Sequence, residues 1–168
     1  MTIIEVNALD DAAFVARFGF LAEHSPWVVA AAAAKRPFAD LAAMQAALLG
    51  VIAGAAPERQ LALLRAHPQL ADKLAIARGL TAESEAEQAS AGLDRLTPAE
   101  FALFQRRNDD YFRLFGFPFI ICVRLTDKAG ILAAMAERLQ RTKSQEIAAA
   151  LDQVGKIIAL RLADEIAS

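Results

Sequence analysis

Histidine is rare in this chain, and one of its two histidines stands where an acid–base catalyst could work. His67 lies in RAHPQLA, residues 65–71, after an apolar stretch and directly before a proline. Pro68 disfavours helical geometry at His67, so we expect a helix to end or kink there. An imidazole that changes charge near neutral pH suits general acid–base catalysis. The alternative is that His67 continues the face of Leu61 and Leu64 as a packed core residue.

The last helix that the sequence predicts carries an arginine on its apolar side. An apolar stripe recurs at steps of four and three residues, formed by Ile147, Leu151, Val154 and Ile158. The next step of three reaches Arg161. A buried arginine must be paired or must line a cavity. Two interpretations stay open: a structural ion pair or snorkelling side chain, and an anion-binding guanidinium that fits a carboxylate or ureido group.

A third group of polar residues lies in LTAESEAEQASAGLD, residues 80–94. Ser84, Glu87 and Gln88 are spaced i, i+3, i+4 and therefore share one face of a helix. Ser84 and Glu87 also have the spacing of a capping box, which is the structural alternative. That motif does not explain Gln88.

Signals for helix starts and stops recur along the chain and predict an all-α, single-domain helical bundle over residues 1–168. The predicted boundary residues are Asp10 or Asp11 and Gly19; Ser25 and Pro26, next to the second histidine, His24; Pro57; Thr97, Pro98, Glu100 and Gly116; Asp127; and Ser144. The segment FPFIICVRL, residues 117–125, instead has the composition of a strand. Since no second strand is predicted, we expect a buried extended segment whose backbone groups find other partners.

Composition excludes several classes of function. The net charge of −2 gives no basic footprint, so we do not expect nucleic-acid binding. One cysteine, Cys122, and two histidines cannot form a disulfide framework or a closed zinc site, so we expect no metal. The N-terminal residues lack the pattern of a signal peptide, and no apolar run has the length of a membrane span. We therefore expect a cytoplasmic protein without membrane contact.

Five segments together resemble a known family. In chain order they are EHSPW (23–27), RAHPQLA (65–71), LTAESEAEQASAGLD (80–94), FGFPFIICVR (115–124) and IIALRL (157–162). The chain resembles the 2-oxo-4-hydroxy-4-carboxy-5-ureidoimidazoline (OHCU) decarboxylases of urate degradation. The resemblance covers essentially the whole chain. The HPxLA, SxxEQ and FGFPF elements are specific in combination, although each alone is weak.

The resemblance implies a fold and an activity. The family is all-helical and often dimeric, so we expect a homodimer. Its reaction is the last step from urate to (S)-allantoin, after urate oxidase and 5-hydroxyisourate hydrolase, to which functional coupling is expected. The substrate is a small ureidoimidazoline carboxylate. The family uses no metal and no organic cofactor.

The resemblance also carries over site residues position by position. The catalytic histidine of the family falls on His67, and we place Glu87 with it in the catalytic group. The substrate-binding group is expected to comprise Pro68, Ser84, Gln88, Phe119, Ile120, Ile121 and Arg161. The segment that begins with FGFPF would contribute partly through its backbone.

Two alternatives remain at this stage. The protein could be a helical lyase or hydrolase that acts on a related ureido or carboxylate compound. It could also be a non-enzymatic helical interaction module, in which His67, Glu87 and Arg161 would lie far apart around no common cavity.

Overall fold

The computed structural model describes residues 1–71 and 81–166, and within them the regular structure is helical, without strands. This confirms the all-α prediction. The α-helices are α1 Ile3–Ala8, α2 Asp11–Phe18, α3 Pro26–Ala33, α4 Leu41–Ala53, α5 Pro57–Arg65, α6 Ala82–Ser90, α7 Pro98–Phe115, α8 Lys128–Arg138 and α9 Lys143–Glu165. Short 3₁₀ turns cover Gly19–Leu21, Leu93–Arg95 and Val123–Leu125.

Helix α7 shows why local signals predicted the boundaries well. The Thr97 hydroxyl accepts a hydrogen bond from the Glu100 backbone N–H at 3.3 Å, and the Glu100 carboxylate accepts one from the Thr97 N–H at 2.8 Å. This capping box satisfies backbone donors that the first helical turn leaves unpaired. Gly116 ends the helix in the left-handed conformation, with φ of 79°, which glycine adopts without steric cost.

The predicted start of α9 is wrong by two residues. Ser144 was expected to cap this helix, but it lies inside the first turn of Lys143–Glu165. The cap is Thr142, whose hydroxyl accepts from the Gln145 N–H at 3.3 Å while its own N–H donates to Gln145 Oε1 at 2.8 Å. The reciprocal pair of bonds in T-x-x-Q satisfies two donors at once and so determines where the helix begins.

The buried segment predicted over residues 117–125 is confirmed for its first part. Residues 117–122 carry no regular structure and are largely buried. The last three residues instead form the 3₁₀ turn Val123–Leu125, in which the Leu125 N–H donates to the Cys122 carbonyl at 3.1 Å. A local i to i+3 bond supplies a backbone partner that no neighbouring strand provides.

The chain divides into two compact units, each with its own apolar core. One comprises Met1–Ala66 and the final segment from Val154. Its fully buried side chains include Phe14, Phe18, Leu48 and Leu64. The other unit is His67–Gln153, centred on Tyr111, Phe104, Phe117 and Phe119. The description of residues 1–168 as one domain stays a prediction.

Among the described residues, no single helix is both long and apolar enough to cross a membrane. The helices α4 and α5 pass that test of length and composition only as a pair, bent by 110°.

Candidate active site

The loop that carries His67 begins where the sequence predicted a helix to stop. Helix α5 ends at Arg65, and Ala66 is its C-cap. His67 is buried, with 9% of its surface exposed. Neither His67 nor Pro68 is helical, which agrees with the effect of a proline on the residue before it. Burial of His67 agrees with both interpretations of this residue, so its neighbours must distinguish them.

Three side chains hold the end of this loop by its backbone. The Ala71 N–H donates to Gln88 Oε1 at 3.0 Å. The Ala71 carbonyl accepts from Gln105 Nε2 at 3.3 Å, and the Leu70 carbonyl accepts from Asn108 Nδ2 at 2.8 Å. Ala71 has a φ of 57°, the left-handed conformation that non-glycine residues adopt at a cost. The hydrogen bonds therefore hold a backbone conformation that alanine does not favour by itself.

Helix α6 places Ser84 and Gln88 on a buried face. The cap of this helix is Thr81, whose hydroxyl accepts from the Ser84 N–H at 3.3 Å. Ser84 is thus the third residue of the helix, and its interpretation as the first residue of a capping box is wrong. Ser84 and Gln88 are 7% and 8% exposed, and Glu87 is partly exposed. Buried polar side chains on one face are the pattern that the i, i+4 spacing predicted.

The same helix packs against the 3₁₀ turn Val123–Leu125 that follows the buried segment. Burial raises the pKa of the Cys122 thiol, and the charge of the Glu87 carboxylate raises it further. The unit His67–Gln153 therefore brings the Ser84–Gln88 face close to the end of the segment 117–122.

The backbone of that segment is held by two side chains that the sequence analysis did not identify. Arg138 Nη1 donates to the Ile120 carbonyl at 2.7 Å, and its guanidinium carbon lies 4.4 Å from the centre of the Phe119 ring. The Cys122 N–H donates to Gln153 Oε1 at 2.9 Å. These contacts provide the partners that a strand-like segment without a sheet requires.

Arg138 belongs to a buried ionic network. Its Nε donates to Glu146 Oε2 at 2.9 Å, and the Tyr111 hydroxyl donates to the same oxygen at 2.5 Å. Burial raises the pKa of Tyr111, and its hydrogen bond to Glu146 raises it further, so the phenol stays neutral. A sequence signal was present: the buried residues Ile131 and Met135 lead to Arg138 at steps of four and three. This is the pattern that identified Arg161.

Arg161 is buried, as the apolar stripe predicted, with 4% of its surface exposed. Its Nη1 donates to the Phe20 carbonyl at 2.8 Å and lies 3.2 Å from Glu23 Oε2. Glu23 is 1% exposed, and the sequence analysis missed it although it opens the EHSPW motif. The ion-pair interpretation of Arg161 is therefore observed within its own unit.

The rest of the EHSPW motif forms a helix start, as expected. Pro26 is the first residue of α3 and Ser25 precedes it as N-cap, without a side-chain capping bond. The His24 side chain is 58% exposed, and its Nε2 lies 3.9 Å from Glu23 Oε1. Across residues 1–71 and 81–166, no group of three or more His, Cys, Asp or Glu side chains is arranged to hold a metal ion.

The fold and these side chains define an all-α protein in which a loop with a buried histidine is hydrogen-bonded to the polar face of a helix. Comparison with known proteins identifies its family. The profile of the OHCU decarboxylase family matches residues 7–163. The chain belongs to the OHCU decarboxylase family. The resemblance inferred from the five sequence segments is thereby confirmed.

Individual relatives support the same family. A protein of Haloferax volcanii named 2-oxo-4-hydroxy-4-carboxy-5-ureidoimidazoline decarboxylase is 43% identical over 168 residues, which span 100% of this chain and 98% of the relative. The uric acid degradation bifunctional protein PucL of Bacillus subtilis is 34% identical over 98% of this chain and 33% of its own length. A crystal structure of (S)-allantoin synthase matches with a TM-score of 0.76 and 30% identity, over 99% of this chain and 54% of that chain.

Proposed function

We propose that this protein decarboxylates 2-oxo-4-hydroxy-4-carboxy-5-ureidoimidazoline to (S)-allantoin, the last step from urate to allantoin. The observation that carries the proposal is the hydrogen bond from the Ala71 N–H to Gln88 Oε1. It joins the HPxLA motif to the SxxEQ motif inside one compact unit. A non-enzymatic helical module has no need to bury a histidine loop against a glutamine.

The chemistry of the substrate explains why residues alone can suffice. A carboxylate and a hydroxyl share one ring carbon beside a C=N bond. When the bond to the carboxylate carbon breaks and carbon dioxide leaves, the electron pair flows into that C=N. The substrate thus supplies its own electron sink. A proton must then arrive on one face of the neighbouring carbon, which gives one enantiomer of the product.

His67 takes the proton-handling role in this proposal. Its imidazole bonds to the substrate hydroxyl or carboxylate, promotes the loss of carbon dioxide and passes on the proton. Pro68 ends the preceding helix and so keeps the imidazole at the end of α5, beside the ligand. A well-placed acid–base group contributes roughly 10²- to 10⁴-fold in rate.

The hydrogen bond between Gln88 and Ala71 determines which end of the Gln88 side-chain amide is left to face the substrate. A backbone N–H can only donate, so the Gln88 oxygen faces Ala71 and the amide Nε2 faces away. We assign Nε2, which can donate, to an acceptor oxygen of the ligand. The Glu87 carboxylate then accepts from the ureido or ring N–H groups, and Ser84 extends the same polar face.

The segment 117–122 contributes its backbone to the substrate. Arg138 already bonds the Ile120 carbonyl, so we assign the ring carbonyls of the substrate to the N–H groups of Ile120 and Ile121. Phe119 forms the apolar wall beside them. Arg161 bonds an acceptor oxygen of the substrate or orients Glu87, in addition to its bond with Glu23.

The experiment that tests the function compares His67→Asn with wild type on freshly generated substrate. Circular dichroism follows the appearance of optically active allantoin. We expect His67→Asn to lose roughly 10² or more in kcat while its helical spectrum is retained. His24→Asn is the matched control, because His24 is the other histidine of the chain and its side chain is exposed. Wild-type rates in folded His67→Asn would exclude this assignment.

The substrate itself needs a separate test. Related ureido and carboxylate compounds of purine breakdown are assayed in parallel, and the ureidoimidazoline should be preferred in kcat/KM. If another ureido compound is preferred, the assignment of the site residues stands, and the substrate and reaction are assigned anew.

The proposal includes the setting in which the enzyme works. We infer a cytoplasmic homodimer that needs no metal or organic cofactor and follows urate oxidase and 5-hydroxyisourate hydrolase. The bifunctional urate-degradation relative of Bacillus subtilis supports coupling with other steps. Light scattering of the purified protein measures its oligomeric state. An assay after treatment with a chelator tests the independence from metal.

A further inference from the structure

We infer that Asn108 and Gln105 are positioning residues for His67, which they hold through the backbone of Leu70 and Ala71. The inference rests on the proposed function of His67. It adds two residues of helix α7 that lie outside the motifs by which the family is recognised. Neither is assigned to contact the substrate.

Side chains supply the hydrogen-bond partners of the buried backbone of Leu70 and Ala71. Leu70 and Ala71 are 6% and 5% exposed, so water does not satisfy their polar groups. The Leu70 carbonyl, the Ala71 N–H and the Ala71 carbonyl bond instead to the side-chain amides of Asn108, Gln88 and Gln105. Each buried backbone group left without a partner is costly, so these amides determine the conformation of the loop.

The side-chain amide of Asn108 can bond the Leu70 carbonyl in one orientation only. The Leu70 carbonyl can only accept, so the Asn108 NH₂ group faces it at 2.8 Å. Asn108 is 1% exposed, and its Oδ1 is buried without a hydrogen-bond partner in the part of the chain that the structure describes. Aspartate has nearly the same shape but turns an acceptor oxygen towards the carbonyl. Asn108→Asp therefore removes the bond with little change in volume.

The amides lie close to the imidazole along the chain. His67 is the first residue of the unit that contains all three amides, and they hold its backbone at Leu70 and Ala71, three and four residues further on. Between His67 and Leu70, Pro68 has a φ restricted by its ring. Few backbone torsions therefore separate the held backbone from the His67 ring, and loss of one amide bond shifts the ring.

The experiment follows the His67 ring by NMR, because a chain with two histidines gives signals that are easily assigned. With two histidines in the chain, the NMR spectrum contains two imidazole Cε1–H signals, and His67→Asn identifies which belongs to His67. We expect Asn108→Asp to shift or broaden the His67 signal and to leave the His24 signal unchanged. Because displacement of a catalytic group by about 1 Å can cost 10²-fold, kcat should fall roughly 10- to 100-fold with little change in KM. A purely structural role would lower the melting temperature without moving the His67 signal of the folded protein.

The matched control is Asp109→Asn, the reverse exchange at the next, exposed position of the same helix. It should change neither the kinetics nor either histidine signal. Gln105→Leu removes the weaker bond to Ala71, at 3.3 Å, from a partly exposed side chain and should give a smaller effect of the same kind. If Asn108→Asp fails to fold, Gln105→Leu decides the question.

The inference is overturned if a folded variant keeps the wild-type kcat and the wild-type His67 signal. If the proposed function is wrong, the wild-type protein itself does not act on the ureidoimidazoline. The NMR measurement then still reports whether the amides position His67.

Discussion

Arg138 donates a hydrogen bond to the carbonyl oxygen of Ile120 at 2.7 Å, and both residues are buried. The same guanidinium pairs with Glu146, which is fully buried. One arginine thus offsets a buried carboxylate and holds the segment whose backbone is proposed to bind the substrate. Replacing Arg138 should therefore affect both the stability of the protein and the binding of the substrate.

Arg138→Met should destabilise the protein by about 3–5 kcal/mol, because it removes the buried guanidinium partner of Glu146 and leaves only the half-exposed Arg141, at 3.6 Å. Urea denaturation monitored by circular dichroism measures this free energy of unfolding. Arg113→Met is the control, since Arg113 and its partner Asp110 form an exposed pair that contributes at most about 1 kcal/mol.

The double variant Arg138→Met with Glu146→Leu should lose less stability than Arg138→Met alone, because no buried charge remains. An equal or larger loss would mean that the cost arises from packing rather than from the unpaired carboxylate.

Tyr111→Phe should cost about 1.5–3 kcal/mol, because the hydroxyl donates to a charged acceptor at 2.5 Å inside the core. Burial, reinforced by Glu146, raises the pKa of Tyr111. The stability linked to the neutral phenol is therefore present below the ordinary pKa of 10 and declines as pH rises above it. The chain has one tyrosine, so the ultraviolet absorbance of phenolate reports this group directly. Titration of the folded protein at an ordinary tyrosine pKa would contradict the prediction.

Lys128→Met should raise the pKa of the Glu100 carboxyl. The hydrogen bond from Lys128, together with those from Thr97, lowers this pKa from 4.5 to about 2. Since the folded-state pKa is lowered, the stability it contributes is present above pH 4.5 and is lost as pH falls towards 2. Carboxyl NMR shifts across a pH titration measure the change. The effect should shrink in high salt, because both groups are near the surface. A pKa that does not move in Lys128→Met would assign the whole shift to the capping box.

Arg161→Lys should greatly reduce activity while the helical fold is retained, because lysine lacks the planar fork that bonds several acceptors at once. Arg161 Nη1 donates to Phe20 and Glu23, and the proposal adds the substrate or Glu87 to the groups that this guanidinium contacts. Steady-state kinetics and far-ultraviolet circular dichroism are measured on the same sample.

Glu23→Gln is the companion variant, since it weakens the observed ion pair without removing the guanidinium. If Arg161→Lys unfolds, or if Glu23→Gln abolishes activity equally, the role of Arg161 is the structural pair with Glu23.

Local patterns in the sequence predicted those features whose partners lie within one helical turn. The Thr97 and Glu100 capping box is an example, because both groups are three residues apart and need no tertiary contact. The burial of Arg161 was also predictable, since helical periodicity places it on the apolar side. The position of Pro68 similarly predicted that α5 ends before His67.

Periodicity can indicate that a residue is buried, but it does not identify the partner. The same stepping pattern carries Arg138, yet its bond to Ile120 and its pair with Glu146 required the fold. Glu23 lies 138 residues from Arg161, and Asn108 lies 38 residues from Leu70. Such pairs form because packing of the apolar faces brings distant helices together.

The sequence by itself therefore determined the helical class, most helix boundaries, the candidate residues His67, Gln88 and Arg161, and the family. Only the tertiary structure decided which groups satisfy the buried backbone at Leu70, Ala71 and Ile120. The physical reason is that a cap or an apolar stripe is a local property of the chain, whereas a buried polar group takes whichever partner the folded core places within hydrogen-bonding distance.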